Sequence, residues 1–126
     1  MDRVKLSTGT CWEEHVGYSR AVKVGNMIFI SGTTAIENDK VIGAGDIYEQ
    51  TVFIIKKIEK VLIKLESKLD DVVRIRIYLT DISLWKGAAN AYSEFFKTIK
   101  PAQTLIEIKG LVDPEMLVEI EVDAII

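Results

Sequence analysis

One cysteine, one histidine and two prolines are all that 126 residues contain of these types. Cys11 has no second cysteine to pair with, which fits a reducing compartment and rules out an internal disulfide. Cys11 and His15 at short spacing do not make a metal-ligand set, and no metal site is expected. Two prolines and eight glycines leave no composition for a linker or a disordered tract. No segment approaches the roughly 18 uninterrupted apolar residues of a membrane helix. Met1-Asp2-Arg3-Val4-Lys5 has no signal-peptide core, so the cytoplasm is the expected location. A net charge of −3 provides no basic footprint and argues against a nucleic-acid partner. A phosphate loop, a nucleophile elbow and a dinucleotide fingerprint are all missing.

What is present is a single domain over residues 1–126, with 48% hydrophobic and 28% charged residues. A chain of this length buries about two thirds of its unfolded surface, enough to fold without staples. Ser19 to Val24 reads as a strand, Gly25-Asn26 as a hairpin turn, and Met27 to Ser31 as a mostly buried strand. Asn38-Asp39-Lys40 reads as another turn. Asp46 with Glu49 three residues on is a capping box. The helix behind it runs to about Ser67, with Phe53, Ile54, Ile58, Val61, Leu62 and Leu65 on one stripe. Val72 to Thr80 is a strand with Val73, Ile75, Ile77 and Leu79 on one face and Arg74, Arg76 and Tyr78 on the other. A second helix from about Ser83 to Thr98 carries Trp85, Ala88, Ala89, Tyr92, Phe95 and Phe96 as its stripe and stops before Pro101. The last strands span about 104–109 and 117–125. The order of elements predicts an α+β domain with two helices on one face of a mixed sheet.

The other face of that sheet is unusual. Leu117-Val118-Glu119-Ile120-Glu121-Val122-Asp123 alternates without a break and places three carboxylates on one side of one strand. Arg74, Arg76 and Tyr78 share that side. Such a face is either solvated or closed over in an oligomer as a paired charge network; Tyr78 and the near balance of sign favour the second.

These residues carry a family resemblance. Gly17-Tyr18-Ser19-Arg20-Ala21, Val24 through Thr33, Asp71-Val72-Val73, Tyr92 with Phe95-Phe96, Pro101-Ala102 and Leu117 through Glu121 occur in the order found in the Rid (YjgF, reactive intermediate deaminase) family. The chain resembles that family from about Trp12 to Ala124. The resemblance implies a chorismate-mutase-like fold and a homotrimer with a central barrel and three pockets between subunits, each binding a small molecule. It also implies hydrolysis of 2-imino acids, or their enamine tautomers, to 2-keto acids and ammonia, without a cofactor. By the same resemblance Glu119 orients the attacking water, and Tyr18 and Ser31 shape the pocket, with Thr33 beside them.

One departure stands out. Where deaminase members carry an arginine that grips the substrate carboxylate, this chain has Gln103. A neutral amide lacks the charge and the fork of a guanidinium. The pocket asparagine of those members falls on Ala89. The motif strings resemble a subgroup without the arginine, so substrate specificity is altered or lost, and a non-catalytic metabolite- or partner-binding trimer is the alternative. Arg74 or Arg76 is a candidate to supply the missing charge, against simple pairing with the strand carboxylates. Arg20 is a third candidate. Glu119 has its own alternative as a member of the charge network.

Overall fold

The computed structural model describes residues 1–126. Six strands form one sheet: β1 (Arg3–Leu6), β2 (Ala21–Val24), β3 (Met27–Thr34), β6 (Val72–Leu79), β7 (Ala102–Glu107) and β8 (Val118–Ile125), in the order β1-β2-β3-β8-β6-β7. Only β6 and β7 run parallel, because α2 (Trp85–Phe96) crosses over between them. The short strands β4 (Ile36–Glu37) and β5 (Lys40–Val41) make a separate hairpin. Its turn is Asn38-Asp39, both at positive φ, the geometry that a two-residue turn between twisted strands requires. The architecture is the expected α+β domain, with both helices on one face of a mixed sheet. Neither helix is long and apolar enough to cross a membrane.

Helix α1 (Ile47–Lys64) starts where its cap predicts, with the Asp46 carboxylate accepting the Glu49 N–H at 3.0 Å. It ends three residues before Ser67: Glu66 turns to φ +63°, and the Ser67 N–H returns to the Leu62 carbonyl at 2.9 Å. Ile54, Ile55, Ile58, Val61 and Leu62 are buried against β3, β8 and α2. Ile28, Ile30, Ile75, Ile77, Val118, Ile120 and Val122 meet them from the sheet. Each such side chain contributes about 1.5–3 kcal/mol of burial.

Four expectations are corrected. Strand β1 was not foreseen; its four residues are too short for alternation to stand out, yet they pair with β2 throughout. The face assignment of β6 fails at its start. A bulge sets Val72 opposite Ala124 and Arg74 opposite Asp123, so Val72 enters the core and the extra residue, Val73, turns outward. Trp85 is not core: it is the first residue of α2 and 48% exposed. Strand β7 begins at Ala102, directly after Pro101, and ends at Glu107.

Candidate functional site

A second bulge builds the site. Ile30 pairs with Val122 and Thr33 with Ile120, so β3 fits one extra residue between two ladder positions. The irregular stretch is Ser31-Gly32. The Ser31 N–H donates to the Arg20 carbonyl at 2.9 Å, and its hydroxyl donates to the Ser19 carbonyl at 2.7 Å. Strand β3 is thereby tied to the segment entering β2 just where it bends.

Beneath the bulge lies a buried ion pair. Arg20 is only 4% exposed and Glu13 only 3%. Arg20 Nη1 donates to the Gly32 carbonyl at 2.7 Å and to Thr33 Oγ1 at 3.0 Å, while Nη2 reaches the Tyr18 hydroxyl at 3.4 Å. Its Nε has no hydrogen-bond acceptor and faces Glu13 Oε2 at 3.5 Å. Glu13 sits in a short π-helical turn (Glu13–Gly17). Its carboxylate accepts from Ser7 Oγ at 2.8 Å, the Thr8 N–H at 3.0 Å, Thr8 Oγ1 at 2.7 Å and Thr10 Oγ1 at 2.8 Å. Burial alone pushes this carboxyl up, but the Thr8, Thr10 and Ser7 hydroxyls outweigh it and hold the pKa at about 2. Arg20 thus holds the bulge through Nη1.

Above this pair opens a cleft of about 490 Å³. Its polar wall is Tyr18, Arg20, Gly32, Thr34, Lys57 and Glu119; Trp12, Val16, Ile36, Leu111, Val112 and Met116 supply the apolar wall. Glu119 lies across from Thr34 on β3 and Tyr78 on β6. Gly32 leaves room for Glu119 where it lies: a Cβ there would stand 2.8 Å from the Glu119 carboxyl carbon and displace that side chain. Burial raises the Glu119 pKa above the ordinary 4.5; the Arg20 charge opposes that and Glu121 adds to it. No hydrogen bond contributes to the shift. The arrangement is a carboxyl group in a half-buried setting, poised to exchange a proton.

Lys57 comes from α1. Its Nζ donates to the Ile36 carbonyl at 3.4 Å. Burial lowers its pKa and the Arg20 charge lowers it further, against the pull of Glu13 and Glu37.

The residues singled out in the sequence fall into three places. Tyr18 and Glu119 line the cleft. Ser31 and Thr33 lie under it, with Thr33 Oγ1 donating to the Ser31 carbonyl at 2.8 Å and accepting from Arg20. Gln103, Arg74 and Arg76 are outside it. Gln103 is exposed on the edge strand β7 and pairs with Ile75, on the helix side of the sheet. Arg74 and Arg76 point to the opposite side, where Arg76 Nη1 lies 3.5 Å from Asp123 and 4.0 Å from Glu121. The Tyr78 hydroxyl donates to Glu121 in the same network. Glu13, Gly32 and Lys57 were not singled out. Thr10-Cys11-Trp12-Glu13 does carry the Thr-x-x-Glu spacing of a capping box, the one local signal for Glu13.

Comparison with known proteins agrees with this architecture. Residues 12–126 match the family model described as endoribonuclease L-PSP. An uncharacterised protein of Streptomyces coelicolor is 32% identical over 120 residues, covering 95% of this chain and 90% of that one. A RutC family protein of Pyrococcus abyssi is 38% identical over 105 residues, covering 82% of each. Among solved structures, a Mycobacterium tuberculosis member of the YjgF/YER057c/UK114 family superposes with a TM-score of 0.90 at 38% identity, covering 99% of this chain and 100% of that one. A Yersinia pestis member of the Rid protein family superposes with a TM-score of 0.87 at 26% identity, covering 99% and 100%. The chain belongs to the endoribonuclease L-PSP family, that of the YjgF and Rid proteins.

Proposed function

We propose that this chain is an imine or enamine hydrolase that converts 2-imino acids to 2-keto acids and ammonia, with a substrate range altered by Gln103. The observation that carries this reading is Glu119: a half-buried carboxyl with a raised pKa, in an open cleft, beside a glycine that leaves room for it. Its carboxylate takes a proton from water as the water oxygen bonds to the imine carbon. The imine reacts as its N-protonated iminium, and the C=N electron pair moves onto that nitrogen, leaving a neutral amine. In the resulting carbinolamine Glu119 returns its proton to nitrogen, the C–N bond breaks, and the hydroxyl becomes the keto oxygen as its proton passes back to the Glu119 carboxylate, which then releases it to the departing ammonia. Ammonia leaves. No metal or cofactor takes part.

The active assembly in this reading is a homotrimer, with Gln103 of the exposed edge strand β7 meeting the cleft of a neighbouring copy. Met27, Phe29, Ile106 and Ile125 are 41–45% exposed and support a covering partner. The ribonuclease name of the matching family model finds no support in a chain of net charge −3.

The test follows ammonia release from imines formed in situ by an amino-acid oxidase. Wild type is expected to exceed the spontaneous rate, and Glu119→Gln to lose about a hundredfold or more of that acceleration. The rate should fall with acid through a pKa above 4.5, since the ionised form is the base. No acceleration across acidic and neutral imines removes this reading, leaving a trimer that binds a metabolite without turnover.

A further inference from the structure

We propose that Lys57 anchors the carboxylate of a ligand held against Glu119, and so selects imines with one carboxylate and an apolar side chain. This inference rests on the hydrolase reading of the cleft and assigns its substrate class.

Two cationic side chains line the cleft, Arg20 and Lys57. Arg20 is committed: its Nη atoms serve Gly32, Thr33 and Tyr18, and its charge faces Glu13. Lys57 is not. An ammonium has three N–H donors, and one long bond to the Ile36 carbonyl uses one of them. No carboxylate lies within ion-pair distance of it, although Glu13 from the π-helical turn and Glu37 from β4 act on it from further away. Arg20, reaching in from the start of β2, repels it. A half-buried ammonium with unused donors and a like charge acting on it gains from an anion that enters the cleft.

Placement agrees with this. Lys57 is carried by α1, the longest and most firmly packed helix, so its backbone is fixed. Lys57, Arg20 and Glu119 all line the same cleft. A ligand held in this cleft therefore has both a cation and a base among its walls. The same cleft is also lined by Trp12, Val16, Leu111, Val112 and Met116, side chains that suit an apolar substituent on the ligand. Gln103 does not duplicate this role, because an amide carries no charge.

The experiment uses full-length protein and the 2-keto acid of leucine as the binding probe, titrated calorimetrically into wild type, Lys57→Gln and Lys57→Arg. The keto acid is expected to bind wild type, to weaken about tenfold or more in Lys57→Gln, and to stay within about threefold in Lys57→Arg. In parallel, kcat/KM is measured for the imine of leucine and for the carboxylate-free imine of isoamylamine. The ratio of the two is expected to fall about tenfold in Lys57→Gln, mainly through KM. Should Lys57→Gln not fold, Lys57→Met keeps the length without the charge. An unchanged affinity and ratio in a folded charge-free variant, or a wild type that does not bind the keto acid, overturns the anchor while imine hydrolysis stands on its own measurement. Lys57-dependent keto-acid binding without imine hydrolysis overturns the hydrolase reading and leaves the anchor.

Discussion

At the scale of single residues the site depends on a pair the substrate never needs to touch. Arg20 holds the bulge that places Gly32 beside Glu119, and Glu13 is the charge that makes a buried Arg20 tolerable. Removing one partner of such a pair leaves the other uncompensated, at a cost of about 3–5 kcal/mol. Glu13→Gln is therefore expected to lower stability by that amount at pH 7, measured by urea unfolding. The pH dependence has a definite sign. The folded carboxyl titrates at about 2, below its ordinary 4.5. Its contribution is full above 4.5 and is lost as pH falls from there through 2, at up to about 1.4 kcal/mol per pH unit for one proton. The gap between wild type and Glu13→Gln should close over that window; a gap that stays constant from pH 6 to pH 2 assigns the stabilisation elsewhere. This pair also marks where reading the sequence stops. Glu119 is legible because alternation runs unbroken from Val118 to Asp123 and fixes its face. Glu13 and Lys57 are not, since Ser7, Thr8 and Thr10 wrap Glu13 only after β1 docks on β2, and the Lys57 spacing on α1 matches that of its solvated neighbours.

At the scale of elements, both helices and the strands they cover follow from periodicity, with a cap for α1, and the misread face of β6 arises from a bulge. One extra residue at Val73 reverses the first residues of β6, and one at Ser31-Gly32 bends β3 around the cleft. A bulge is set by partner register, which a single strand's pattern does not contain. Close packing of the two helices depends on another local feature. A Cβ added at Gly87 of α2 would stand 2.6 Å from Cγ2 of Ile47, in the first turn of α1. Gly87→Ala gains about 1 kcal/mol of helix propensity and meets an overpacking cost of about 1–3 kcal/mol. The expected net effect is destabilisation by about 1 kcal/mol in thermal or urea unfolding. Ile47→Leu moves the branch from Cβ to Cγ, so the double variant should recover most of the loss. Equal loss in single and double variants would assign the cost to the α2 backbone instead.

At the scale of the whole molecule, the face opposite the helices carries two unlike regions. Along β6 and β8, Arg74 is opposite Asp123, Arg76 opposite Glu121 and Tyr78 opposite Glu119, so much of the strand's charge is offset within the chain. Toward β2 and β3 the same face turns apolar, with Met27, Phe29 and Ile125 adjoining one another and each about two fifths exposed. Neutralised charge next to exposed apolar surface is the pattern of a buried interface. In the proposed trimer this face is covered, and the edge strand bearing Gln103 meets a neighbour's cleft. Sedimentation equilibrium at micromolar concentration is expected to give three times the 14.2 kDa chain mass. Phe29→Glu should break the assembly. It puts a carboxylate opposite Asp123, a like-charge pair that costs the folded chain under about 1 kcal/mol in solvent but is far more expensive once covered. The variant is then a folded single chain whose cleft lacks its neighbour, and its imine hydrolysis should fall with its mass. A wild type that sediments as one chain removes the trimer and leaves Gln103 without a cleft to enter. A Phe29→Glu monomer of full activity would mean that one copy's cleft, with Glu119 and Lys57, is sufficient for the chemistry.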